Sequence, residues 1–197
     1  EACLAANYWY IVPSVAVTLV CMWLRALRWR LLFAPIKKIG IHSLFSATMI
    51  GFMANNLLPA RLGEFVRAYV IGRHENVPKT ASFGTIVVER VFDGLVLISF
   101  LILSVLTNSE LPDLVVYSGY IFGTIYLLAL AFLMMLVLKP DTGLRILDLF
   151  LNLVSDSLAT RVRGLIRSFM AGLEALRSFT RIVMILLMSF LLWCVFA

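Results

Sequence analysis

Long apolar runs, broken at few points by charge, set the pattern of this chain. Tyr8–Leu24 is apolar throughout and predicts a first membrane span, with Tyr8, Trp9 and Tyr10 as interface aromatics at one end. Ser82–Thr107 and Leu114–Leu138 predict two more spans, joined by a turn over Asn108–Asp113. Each exceeds the roughly 20 residues that a helix needs to cross the hydrocarbon layer. A last apolar run follows Arg181 and continues to Ala197. Residues 139–180 differ: Leu147, Leu151, Val154 and Leu158 form one helical stripe, and Val162, Ile166, Phe169, Leu173 and Leu176 another. That spacing predicts two amphipathic helices at the inner surface or over the bundle.

The stretch Asn55–Arg73 does not fit a plain span. It holds two amides, a proline, and the charges Arg61, Glu64 and Arg67 between apolar neighbours. Pro59 cannot donate a backbone hydrogen bond and drives Leu58 out of helical angles. A helix arriving through Phe45–Leu57 should therefore stop, and a second should start at Pro59 and end near Ile71, with Gly72 just past it. Both pieces are too short to span, which predicts a re-entrant hairpin over residues 43–72. Asn55 and Asn56 are placed to satisfy the freed backbone groups. The start of the second half-helix, with Arg61 beside it, is an anion-binding arrangement. The bland alternative is a kinked ordinary helix with structurally paired charges.

Charge placement favours the hairpin. Of the 17 basic residues, 14 fall in proposed inner segments: Arg25, Arg28, Arg30, Lys37, Lys38, Arg73, Lys79, Lys139, Arg145, Arg161, Arg163, Arg167, Arg177 and Arg181. Arg61, Arg67 and Arg90 lie at membrane depth. An ordinary span at 44–72 would strand the Arg-rich 161–181 region outside. On this threading Arg25, Arg28, Arg30 and Trp29 mark a cytoplasmic boundary. The intramembrane set is then Arg61, Arg67 and Arg90 against Glu64, Glu89 and Asp93, which balances. Glu89 and Asp93 are four apart and share a helix face.

Composition agrees with a polytopic all-α membrane bundle: 197 residues, 62% hydrophobic, 14% charged, mean hydropathy +0.99. The chain starts at Glu1 and stops inside an apolar run, which reads as an internal piece of a longer protein. Cys3, Cys21 and Cys194 are scattered, and His42 and His74 isolated, so neither a disulfide, a metal site nor a cofactor is expected. No nucleophile–histidine set or Gly-rich phosphate loop is present, and the basic residues follow membrane topology rather than a nucleic-acid face.

The pattern N-x-x-x-P-x-R-x-G-E-x-x-R (Asn55, Pro59, Arg61, Gly63, Glu64, Arg67), followed by E-R-x-x-D (Glu89, Arg90, Asp93), resembles the lysylphosphatidylglycerol synthase transmembrane-region, or flippase-like, family. The upstream R-x-x-R-W (Arg25, Arg28, Trp29) fits as well. The motifs cover Arg25–Leu106; the rest is matched by hydropathy. The resemblance implies a single flippase-like domain over 1–197 in a bacterial or archaeal cytoplasmic membrane. It implies movement of a lipid between leaflets, the lipid being an anionic or aminoacylated phospholipid such as a phosphatidylglycerol derivative, or a polyprenyl-linked one. The chain is shorter than the family's usual membrane domain and lacks the soluble aminoacyl-transfer domain, so synthase activity is not carried over. A membrane subunit of a lipid aminoacyl- or glycosyl-transferase pathway, and a structural accessory protein, are the alternatives. A homo-oligomer is compatible with the sequence. The expected substrate-contacting residues are Asn55, Asn56, Arg61, Glu64, Arg67, Glu89, Arg90 and Asp93, with Pro59 and Gly63 as the hinge.

Overall fold

The computed structural model describes residues 9, 11–107, 113–139 and 156–196 of the chain. It is all-α. Among the described residues seven helices run in the order α1 (Ile11–Phe33), α2 (Ile41–Leu57), α3 (Gly63–His74), α4 (Lys79–Thr107), α5 (Asp113–Leu138), α6 (Asp156–Gly172) and α7 (Phe179–Phe196). Short 3-10 turns at Pro59–Arg61 and Glu174–Arg177 join α2 to α3 and α6 to α7. The turn expected at Asn108–Asp113 lies outside the described residues up to Pro112, as do Tyr8, Tyr10 and the stripe residues Leu147, Leu151 and Val154.

The 29-residue α4 is the axis of the bundle and packs against α1, α3, α5, α6 and α7. Its core is apolar: Trp29, Phe33, Leu44, Ile71, Ile86, Leu173 and Ile185 are all fully buried. Leu173 and Leu176 of the second amphipathic stripe are buried too, and Val162, Ile166 and Phe169 half-buried. By length and apolarity, α1 and α5 are membrane-span candidates. Tyr117, Ile121 and Leu128 on α5 are largely exposed, as expected of a helix whose solvent is lipid.

Two close approaches shape the bundle. A Cβ at Gly63 would sit 2.0 Å from the Gly51 carbonyl oxygen and 2.5 Å from Asn55 Oδ1, so α2 and α3 meet backbone to backbone. A Cβ at Gly172 would sit 2.2 Å from the Ala81 carbonyl oxygen, which seats the end of α6 on α4.

Several boundaries differ from the sequence reading, each for a physical reason. Helix α1 does not stop at Leu24 but continues to Phe33, because LRALRWRLLF carries its own buried stripe. The break at Leu58 is as expected, with extended angles (φ −100°, ψ 142°). Pro59, however, opens only a 3-10 turn; Ala60 then takes a left-handed conformation (φ 60°) and α3 begins at Gly63. Helix α3 runs past Gly72 to His74, since Gly72 is used for close contact with Lys79 and Val77 rather than as a stop. Helix α4 starts three residues earlier than expected, at Lys79.

Candidate functional site

The chemistry gathers where α1, α3, α4 and α7 converge. Arg28 of α1 is fully buried and reaches both carboxylates of the α4 face. Its guanidinium donates to Glu89 Oε1 at 2.8 Å, to both Asp93 oxygens (Oδ1, and Oδ2 at 3.3 Å), and to Ser189 Oγ of α7 at 2.6 Å. Glu89, also fully buried, pairs in addition with Arg67 of α3 at 3.0 Å and Arg90 at 3.3 Å. Arg90 bridges on to Asp93 and to Glu64 of α3, each at 3.3 Å. The Arg90–Glu64 pair is the outer edge of the cluster, with side chains 40% and 34% exposed. Multiple pairing of this kind offsets the cost of burying charge.

Arg67 is held from a second direction. Its guanidinium lies 3.7 Å from the ring centre of Trp29, whose indole N–H donates to Thr85 Oγ1 at 2.8 Å. A cation over a buried indole gains electrostatic attraction without hydrogen-bond donors being used. Arg67 therefore keeps Nε and Nη2 without a hydrogen-bond partner although the residue is only 6% exposed.

These groups form one wall of a cavity of about 320 Å³ between α1, α2, α3 and α4. Arg25, Asn55, Asn56, Glu64, Arg67 and Arg90 line it. Arg25 is 9% exposed, forms no ion pair among the described residues, and stands 5.5 Å over the Phe52 ring. Asn55 Oδ1 accepts the Gly63 N–H at 2.8 Å, the cap that the freed backbone needs. Asn56 instead turns back on its own helix, donating to the Phe52 carbonyl at 3.2 Å.

Of the eight expected site residues, Asn55, Asn56, Glu64, Arg67 and Arg90 reach the cavity, while Glu89 and Asp93 lie behind its wall. The side chain of Arg61 lies outside what the structure describes; its backbone belongs to the 3-10 turn. The α3 start is less open to an anion than expected. Asn55 takes the Gly63 N–H, the Phe65 and Val66 N–H groups bond to the Leu62 carbonyl, and Glu64 sits in the first turn. Positive charge in the cavity comes from arginine side chains instead.

The sequence reading missed Arg25, Arg28 and Ser189. Arg25 and Arg28 are not a surface boundary but buried members of the site, so the balanced count does not hold. Among the described residues the cluster contains four guanidinium groups (Arg25, Arg28, Arg67, Arg90) against three carboxylates (Glu64, Glu89, Asp93), an excess of one positive charge. The signal was available. Cys21, Arg25, Arg28 and Leu32 fall at helical spacing, and all four are buried.

Known proteins show the same assignment. The whole chain, residues 1–197, matches the model of the lysylphosphatidylglycerol synthase transmembrane region. A UPF0104 membrane protein of Methanothermobacter thermautotrophicus is 26% identical over 93% of this chain and 59% of its own length. Another, of Methanocaldococcus jannaschii, is 30% identical over 71% of this chain and 55% of its own. Glycosyltransferase AglD of Haloferax volcanii is 38% identical over 42% of this chain, which is 14% of that protein. The chain thus spans between half and three fifths of the two UPF0104 relatives. No solved structure matches it. By a family match along its full length, this chain is a membrane protein and belongs to the lysylphosphatidylglycerol synthase transmembrane-region family.

Proposed function

We propose that the cavity between α1 and α4 receives the phosphate-bearing headgroup of a lipid and that the chain carries it between leaflets while the acyl chains stay in the bilayer. The observation behind this reading is the positive charge of the cavity lining: Arg25, Arg67 and Arg90 line it against the single carboxylate Glu64, and Arg25 forms no ion pair among the described residues. An uncompensated cation at membrane depth favours an anionic ligand that completes it.

In this reading α2 and α3 are a re-entrant hairpin that enters from the inner side and returns to it. At 17 and 12 residues they are about 26 and 18 Å long, against a hydrocarbon core of about 30 Å. Moving Arg25 and Arg28 into the bundle leaves 12 basic residues on the proposed inner side, so the positive-inside argument survives their reassignment. Glu64, the part-exposed carboxylate of the cavity lining, serves as partner for a cationic headgroup group.

A second reading is supported by the match to a glycosyltransferase. Here the bundle holds a lipid-linked substrate for a transferase and moves nothing. Leaflet exchange of fluorescent phospholipids by the full-length protein in proteoliposomes separates the two. Transport predicts protein-dependent exchange, reduced at least tenfold by Arg67→Gln. Exchange at the protein-free rate, with lipid still bound, favours the transferase reading. Full exchange by Arg67→Gln overturns the headgroup site.

A further inference from the structure

A second groove lies on the outer face of α3 and α4, away from the charged cavity. It has a volume of about 520 Å³ and is lined by Phe65, Val66, Tyr69, Lys79, Thr80 and Phe83 among others. Phe65, Tyr69 and Arg73 recur every four residues and so share one face of α3; Lys79 and Phe83 do the same on α4. The two stripes run antiparallel and match. At one end the rings of Phe65 and Phe83 stack with centres 4.8 Å apart. At the other, Lys79 Nζ lies 4.0 Å from the Tyr69 ring centre, and Arg73 Nη1 donates to the Tyr69 hydroxyl at 3.3 Å. Tyr69 thus holds two cations at once. Neither forms an ion pair with a carboxylate among the described residues. Beyond Lys79 the surface continues into a further groove that includes Arg161, so positive charge accumulates at this end.

The eight residue steps from Phe65 to Arg73 rise about 12 Å along a helix. That separates a headgroup-level charge pair from a ring pair within the hydrocarbon layer. The Phe65–Phe83 end of the groove points along the helices toward the Glu64–Arg90 ion pair, the exposed edge of the cavity: Glu64 precedes Phe65, and Arg90 follows Phe83 by two turns on one α4 face.

We infer that this α3–α4 face is a separate docking site for an anionic glycerophospholipid of the inner leaflet, its phosphate between Arg73 and Lys79 and one acyl chain along the Phe65–Phe83 wall. Charge complementarity selects the occupant: two cations without acidic partners end an otherwise apolar groove, which suits a phosphate ester carrying a chain and no compensating amine. The inference rests on the proposed placement of the Arg73–Lys79 loop at the inner surface. It makes the groove a lateral approach to the cavity.

The test uses the full-length protein with benzoylphenylalanine placed at position 65, or at position 187 on the exposed face of α7, in vesicles of phosphatidylcholine and phosphatidylglycerol in equal parts. After irradiation the attached lipid is identified by mass spectrometry. At position 65 phosphatidylglycerol should exceed phosphatidylcholine roughly thirtyfold, the order that two cations near a surface supply; at position 187 the attached lipid should follow the vesicle composition. Arg73→Gln with Lys79→Gln should return position 65 to vesicle composition, and soluble glycerol phosphate should not compete. Equal attachment in the unmodified protein, enrichment that survives the double substitution, or full competition by glycerol phosphate would each overturn the inference. Leaflet exchange measured on the same preparations keeps the two ideas apart. Enrichment without exchange defeats only the transport reading, and exchange without enrichment defeats only this one.

Discussion

Replacing Arg28 by methionine should be the most damaging single change in the charged cluster. The substitution keeps an unbranched chain of similar reach and removes every donor. Glu89 would retain Arg67 and Arg90, but Asp93 would retain only the Arg90 contact at 3.3 Å, in a site 4% exposed. Removing one partner of a buried pair costs about 3–5 kcal/mol, mostly because the other charge stays behind. Arg90 is the internal comparison. Its side chain is 40% exposed and its Glu64 partner 34%, so Arg90→Met falls nearer the surface-pair range of about 1 kcal/mol. The difference of about 3 kcal/mol corresponds to roughly 6–12 °C in melting temperature for a chain of this size. Tryptophan-fluorescence melts of the detergent-solubilised protein measure it directly, since Trp29 sits beside the cluster. Arg28→Met combined with Asp93→Leu removes the orphan charge and should recover a large part of the loss. Melting of Arg28→Met within about 2 °C of the unmodified protein, or equal loss in Arg90→Met, would refute the reasoning.

Other expectations follow from local geometry. Gly63→Ala would press a methyl against the Gly51 carbonyl and should lower stability by about 1–3 kcal/mol, whereas Gly164→Ala, with open space around it, should be neutral or stabilising in the same melts. Asn55→Leu leaves the Gly63 N–H without its acceptor and should cost about 1–3 kcal/mol, while Asn56→Leu should cost much less. Cysteines placed at Glu75 and Glu110 should react with impermeant reagents from opposite sides of the membrane; equal reaction from outside would end the hairpin placement. The Glu75 carboxyl is held below its ordinary value, first by a hydrogen bond from Ser43 and then by Lys37, which also pairs with it at 3.2 Å. A depressed carboxyl stabilises the fold above its unfolded value and loses that contribution as pH falls through the folded one. Glu75→Gln should therefore flatten the acid side of the stability–pH curve below the ordinary carboxylate range.

What could be read from the sequence was what depends on one residue acting on its neighbours. Proline acts on the residue before it, so the break at Leu58 was legible. Residues four apart share a face, so the joint presentation of Glu89 and Asp93 was legible too. Asn55 was correctly placed as a backbone partner. Asn56 was not, since one step along the helix rotates a side chain away from the break. Arg25 and Arg28 were misplaced because counting cations in flanks uses position along the chain, and they stand just before the exposed cations Arg30, Lys37 and Lys38. What turns Arg28 inward is a long-range fact, the arrival of Glu89 and Asp93 from a helix some 61 and 65 residues later, while Arg25 packs over the Phe52 ring of α2. Ser189 gave no signal; a single hydroxyl in an apolar run acquires meaning only from the arginine that reaches it.

The span of that cluster along the chain bears on how the protein is made. Arg28 and Ser189 are 161 residues apart, and Arg28 and Glu89 are 61 apart. At a ribosomal rate of about 5–20 residues per second, Arg28 emerges roughly 3–12 seconds before Glu89 and 8–32 seconds before Ser189. Released alone into lipid, the first helix would carry an uncompensated guanidinium costing about 3 kcal/mol by insertion scales. Holding the first helix back until the fourth can join it would avoid that cost, so the cluster favours release of these helices into the bilayer as a group rather than one at a time.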